Sequence, residues 1–178
     1  VADDAVNNAY DYAGKVRDFL KAKLNRDSID NADMDLILNV HYGVKYQNAF
    51  WDGDEMTFGD GDGATFINFT KSLDVVAHEL SHGVTQWEAA LVYQGQSGAL
   101  NEHFSDVFGS VITQWAEGQD EKTADWLIGD EIMGPSLFGE ALRSMKEPGT
   151  AYNNALMGKD PQPAHMKDYY TGSWDNYG

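Results

Sequence analysis

The chain has 178 residues, 42% of them apolar, enough for one hydrophobic core or for one lobe of a larger protein. Its 29 acidic and 12 basic residues leave a formal charge of −17, which argues against nucleic acid or an anionic membrane as partner, since both require clustered Lys and Arg. The absence of cysteine excludes disulfides and thiolate metal sites, and there is no run of about 18 apolar residues to cross a membrane as a helix.

From Asp3 to Leu24 the apolar residues Val6, Ala9, Ala13, Val16, Phe19, Leu20 and Leu24 recur at helical spacing, with Asp3 or Asp4 as N-cap. This segment mixes charge with apolar positions and does not look like a secretory signal. Asn25 to Asp33 is polar and reads as a loop. Met34 to Tyr42 alternates and is rich in large apolar residues, which predicts a strand in which His41 is structural rather than a ligand. The Gly- and Asp-rich stretch 53–63 lacks the twelfth-position Glu of an EF-hand and reads as a tight structural turn. A short strand is expected over Ala64 to Phe69. Ser72 then caps a helix running to about residue 90, and a second helix follows over about 98–116. The last forty residues read as irregular, with one short helix near Phe138 to Met145.

The first of the paired helices carries His78-Glu79-Leu80-Ser81-His82. Residues i and i+4 share a helix face, so both imidazoles reach one metal ion. Neutral imidazole is a good zinc ligand, and a zinc site with an open position lowers the pKa of its water to about 7. Glu79 is rotated by roughly 100° from His78, which places its carboxylate beside the open position, where it takes a proton from water. H-E-x-x-H is the pattern of zinc peptidases for this reason. Glu102, twenty positions after His82, offers a third ligand from the second helix. Asp106, at i+4 from Glu102, is placed to accept the free ring N–H of one His, and Asn101 to serve the other.

At these residues the chain resembles the thermolysin family of zinc metallopeptidases. HELSHGVTQ followed by LVYQGQSGALNEHFSDVFG matches the Glu-zincin pattern H-E-x-x-H with N-E-x-x-x-D downstream. YQNAFWDG, MTFGDGDGATF, ALRSM at 141–145 and YYTGSWDN at 169–176 agree, in the same order. The resemblance implies an α+β N-terminal lobe in one unit, residues 1–178, with the zinc helix packed on the second helix beside a small, mostly antiparallel sheet. It implies a zinc endopeptidase with His78, His82 and Glu102 as ligands and Glu79 as general base. Tyr93 would donate to the oxyanion, and Asp106 and Asn101 would orient the histidines. Arg143 would hold a substrate carbonyl, and Asn48 and Ala49 would bind peptide main chain as an edge strand does. Phe66, Phe69, Val75, Ile128, Ile132 and Leu142 would line a primed-side pocket, implying cleavage before a bulky apolar residue.

Three departures qualify the expectation. The chain ends at Gly178, before the family's second oxyanion donor, a His that Asp175 would orient, and before the helical C-terminal lobe; the family's β-rich start is also absent. The implied reading is a fragment of a longer, secreted peptidase whose partners are a peptide or protein substrate, the C-terminal lobe and a pro-segment. Asp74, Asp125 and Asp130 match acidic positions of the family's main calcium site. Thr113 and Leu127 replace glutamates of the double-calcium members, so at most one calcium is expected. The alternatives are a zinc-stabilised binding module with impaired catalysis and, further off, an acidic calcium-binding domain.

Overall fold

In a computed structural model, which describes residues 1–169, the first helix begins where a carboxylate meets orphan backbone donors. Asp3 is extended (φ −148°), and its side chain accepts the N–H groups of Ala5 and Val6, opening α1 (Asp4–Leu24). Ala5, Ala9, Ala13, Val16, Phe19 and Leu20 are buried along one face. Val6 and Leu24, expected on that stripe, sit at its rim and are exposed. Asn25 ends the helix in the left-handed conformation (φ 50°), which Asn tolerates.

Only part of the expected strand over 34–42 forms. β1 (Leu38–Asn39) is followed by β2 (Ala49–Trp51) and β3 (Met56–Phe58), in the spatial order β1-β3-β2. β1 runs parallel to β3, with Leu38 opposite Met56, and β2 runs antiparallel to it, with Trp51 opposite Met56. An extended segment becomes a strand only where a neighbour supplies its hydrogen bonds, and β3 supplies two residues' worth to β1. His41 then takes φ 59° and turns the chain; its ring pairs with Asp60 and Asp3, a structural role as expected. β2 is left as an edge strand.

The Gly/Asp stretch is a set of turns. Asp62 accepts the N–H groups of Ala64, Thr65 and Phe66, so the loop is closed by its own side chain. The expected strand over 64–69 is absent: Phe66 forms one bridge to Met133, and Phe69–Lys71 is a 3-10 turn. α2 (Leu73–Glu88) follows. Ser72 occupies its N-cap position without capping it, because the hydroxyl bonds the Asp74 carboxylate instead. α3 (Gly95–Ala116) starts nearly a turn earlier than the periodicity suggests.

β4 (Leu127–Ile128) pairs antiparallel with β5 (Arg143–Ser144), and β6 (Asn153–Asn154) with β7 (Gly158–Lys159). The helix expected over 138–145 is therefore not formed: Leu142 N–H donates to Ile128 O, drawing this segment onto β4. The architecture is α+β, with a mostly antiparallel set of small sheets.

α2 lies at the centre. Val76, Leu80 and Ile112 are almost fully buried with Phe58, Met56, Ile29 and Val16. Truncating Leu80 to Ala would cost about 2–5 kcal/mol by removing contacts on every side. Gly109 sets how near α3 comes to α2. A Cβ there would lie 2.8 Å from the Asp74 carbonyl oxygen and 3.6 Å from the His78 Cβ, so only glycine permits this approach.

Candidate metal centre

The close approach brings Glu102 on α3 up to the two histidines of α2. His78 Nε2 and His82 Nε2 are 3.1 Å apart. Glu102 Oε2 lies 3.4 Å from the first and Oε1 3.5 Å from the second. Among the described residues this is the one group of three or more His, Cys, Asp or Glu side chains whose ligand atoms all lie within 4.8 Å of one another.

The other ring nitrogens are occupied. Asp106 Oδ1 is 2.7 Å from His78 Nδ1, and Asn101 Oδ1 is 2.7 Å from His82 Nδ1. Both oxygens accept, so each Nδ1 carries a proton and Nε2 is the atom that each ring offers to an ion. Two facing ring nitrogens beside a carboxylate call for a positive charge between them, a proton or a metal ion in its place. The donor set, two imidazoles and one carboxylate with a side open to a cleft, fits zinc.

Charge around the rings follows from these contacts. Arg143 grips Asp106 with Nε (2.6 Å to Oδ2) and Nη2 (2.8 Å to Oδ1). Burial alone would raise the Asp106 pKa, but the guanidinium and His78 hold it well below the usual carboxylate range. Burial disfavours charge on His78; its bonds to Asp106 and Glu102 outweigh that and raise its proton affinity to a pKa of about 10. A metal ion must therefore displace a proton there. His82 is shifted down, by burial first and by neighbouring His78 second. Glu79 is buried, and burial together with Glu102 lifts its pKa to about 7, against the pull of His78, Arg143 and the Trp51 backbone N–H. A carboxyl poised there is matched to proton transfer near neutrality.

These side chains open onto a cleft of about 800 Å³ that also meets Asn48, Ala49, Phe69, Val75, Tyr93, Ile128, Leu142 and Arg143. The Tyr93 ring stands edge-on to His82, centroids 5.7 Å apart. Phe66 and Ile132 are not on the wall. Ile132 is fully buried in the core, and Phe66 packs on Phe69 behind it.

Asp74, Asp125 and Asp130 face a different, much smaller cavity of about 60 Å³, with Thr113, Glu117 and Glu131. Their oxygens do not converge as the ligands above do. Asp74 accepts from the Ser72 hydroxyl and the Gly129 N–H, and Asp125 from the Leu127 N–H. Asp175 lies outside the described residues.

Two contacts escaped the sequence reading. Ser105 Oγ is 3.1 Å from His82 Nδ1, beside Asn101; its i+4 spacing from Asn101 was the available signal. The Trp51 backbone N–H faces Glu79, which no local pattern announces.

The catalytic-domain model of the thermolysin metallopeptidases matches residues 2–86, and the model of their alpha-helical domain matches residues 89–178. The boundary falls between α2 and α3, whereas the sequence reading counted one lobe and set the helical domain outside the chain; the metal cluster takes ligands from both sides of that boundary. The chain is 53% identical over 176 residues to an extracellular metalloprotease of Pectobacterium carotovorum subsp. carotovorum, covering 99% of this chain and 51% of that protein. It is 45% identical to bacillolysin of Bacillus cereus and covers 30% of it. The solved precursor of protealysin, a metalloproteinase from Serratia proteamaculans, matches with a TM-score of 0.96 and 53% identity over 99% of this chain and 55% of that one. The chain thus spans about half the length, or less, of these curated relatives.

Proposed function

The chain belongs to the thermolysin metallopeptidase family, and from that premise we propose that the protein carrying it is a zinc-dependent endopeptidase cleaving before bulky apolar residues. The observation that carries this reading is the convergence of His78, His82 and Glu102 beside a buried, uncoordinated Glu79 on one cleft.

Zinc, when bound by those three side chains, supplies Lewis acidity to water and to the scissile carbonyl. Glu79, a buried carboxylate on the same cleft, takes the proton of the attacking water and returns it to the departing amine. Tyr93 donates its hydroxyl to the negative charge developing on the carbonyl oxygen, a contribution typically worth 10²- to 10³-fold. Asp106 and Asn101 keep each imidazole in the tautomer that presents Nε2. Arg143 spends Nε and Nη2 on Asp106 and offers Nη1 to a substrate carbonyl.

The substrate lies as an added strand along β2, through the backbone of Ala49 and the side chain of Asn48, both on the cleft. The apolar wall of Phe69, Val75, Ile128 and Leu142 receives the side chain after the cut. Retention of Glu79, Tyr93 and Arg143 on this cleft counts against a pure binding module, which has no use for a base. Relatives named extracellular support a secreted setting, and a neighbour solved as a precursor supports a pro-segment.

The test is Glu79→Gln. The zinc-loaded protein should hydrolyse a furylacryloyl dipeptide in a phenanthroline-sensitive manner. The variant should keep its zinc and lose 10²- to 10⁴-fold in turnover. Retained turnover rejects Glu79 as the base.

A further inference from the structure

Gln86 is seven positions after Glu79, two turns along α2 and on nearly the same face. It also lines the cleft, and its amide is fully used. Oε1 accepts the Trp51 indole N–H at 2.9 Å, and Nε2 donates to the Gly53 carbonyl at 3.1 Å. Of the uncharged side chains, only a carboxamide offers an acceptor and a donor side by side in one plane, as this contact needs.

The surroundings are arranged for the same contact. The Trp51 ring lies against α2 at Gly83, where a Cβ would meet Trp51 Cζ2 at 3.2 Å. Just beyond Gly53 the chain is fixed in a turn, because Asp52 accepts the N–H groups of Asp54 and Glu55. The end of β2 is therefore held from both sides. At that end the Trp51 backbone N–H, on the sheet's free edge, faces the Glu79 carboxylate.

We propose that Gln86 is a positioning residue: its amide clamps Trp51 and Gly53 onto the last turns of α2 and so keeps the Trp51 N–H on Glu79. The inference rests on the reading of Glu79 as general base, but the clamp itself is a matter of geometry. Without it, the end of the edge strand swings free of α2, and the donor that fixes the orientation of the Glu79 carboxylate leaves with it. The metal ligands, held from α3, are untouched. The Asn48–Ala49 end of β2, where the substrate is proposed to lie, keeps its own pairing with β3, so the effect falls on the proton-transfer step rather than on metal or substrate binding.

The experiment uses Gln86→Met, which keeps length and volume but removes both hydrogen bonds, and Gln86→Glu, which keeps the indole bond and loses the donor to Gly53. Two readouts are taken on the zinc-loaded protein: exchange of the Trp51 backbone amide, and steady-state hydrolysis of a furylacryloyl dipeptide. For Gln86→Met, amide exchange should quicken about tenfold or more. Its kcat should fall about tenfold, with KM within about twofold and zinc content unchanged, since small misplacements of reacting groups act on turnover. Gln86→Glu should fall between Gln86→Met and the parent in both. Unchanged Trp51 exchange overturns the clamp, as does a loss of turnover matched by loss of zinc. If the parent protein shows no chelator-sensitive hydrolysis, the peptidase reading fails, while the exchange measurement still decides whether Gln86 holds Trp51.

Discussion

Two clusters of polar and acidic side chains lie along the contact of α2 and α3, one drawn from the helices alone and one that adds Asp125 and Asp130 from the chain beyond α3, with different outcomes. At one end His78, His82 and Glu102 point their ligand atoms at one another, because Asp106, Asn101 and Ser105 have taken the other ring nitrogens. At the other end Asp74, Asp125 and Asp130 share a cavity, but Asp74 bonds outward to Ser72 and Gly129, and Asp125 to Leu127. Thr113 is there too, its buried hydroxyl without a partner among the described residues. The comparison teaches what separates a converged metal site from carboxylates that are merely close. What makes one is a set of neighbours that commits every competing atom and leaves only the ligand lone pairs to satisfy.

The comparison can be broken at its stronger end first. His78→Ala should weaken zinc binding by about 10³-fold, measured by chelator competition, because a site held by three side chains loses about a third of its hold. An unchanged zinc content removes His78 from the ligand set. Asp106→Asn tests the committing neighbour instead of a ligand. It weakens acceptance of the His78 Nδ1 proton and breaks the charge pairing with Arg143, and zinc affinity should fall 10- to 100-fold. An affinity equal to that of the parent would mean the ring needs no orienting partner.

At the weaker end the expected effects are smaller. Burial, reinforced by Asp130 and Glu131, lifts the Asp74 pKa from its ordinary 3.8 to about 7, against the pull of Ser72 and Gly129. The sign follows directly. Between about 4 and 7 the unfolded chain gives up this proton while the folded protein keeps it, so stability falls as pH rises through that window. Asp74→Asn should flatten this part of a melting-temperature profile. A bound calcium would invert it by favouring the carboxylate. Calcium at 100 times its Kd would add about 2.7 kcal/mol, so a melting temperature unmoved by millimolar calcium is the expected companion result. Smallest of all, Thr113→Val should be neutral or stabilising by up to about 1 kcal/mol, since it removes an orphan hydroxyl; a clear loss of stability would show that the hydroxyl has a ligand.

Much of the metal end was legible because it is local. Both His on one face of α2, and Asn101, Glu102 and Asp106 on neighbouring turns of α3, follow from helical periodicity alone. The same periodicity placed Ser105 beside Asn101, though it was not read. Elements that depend on a distant partner were less legible. Met34 to Tyr42 alternates like a strand, yet pairs only at Leu38 and Asn39, where β3 arrives. Phe138 to Met145 has the composition of a helix but was drawn into pairing with β4, and its Arg143 reaches Asp106. Phe66 and Ile132 differ from Phe69 and Ile128 only in which side of a wall they face, which composition does not encode.

The most direct test of the account is anomalous diffraction at the zinc edge from crystals of the zinc-loaded protein. It should give a peak about 2.0–2.2 Å from His78 Nε2, His82 Nε2 and a Glu102 oxygen, with Glu79 outside bonding distance. A peak bound through either Nδ1, or one seated among Asp74, Asp125 and Asp130 with the histidines empty, would contradict it.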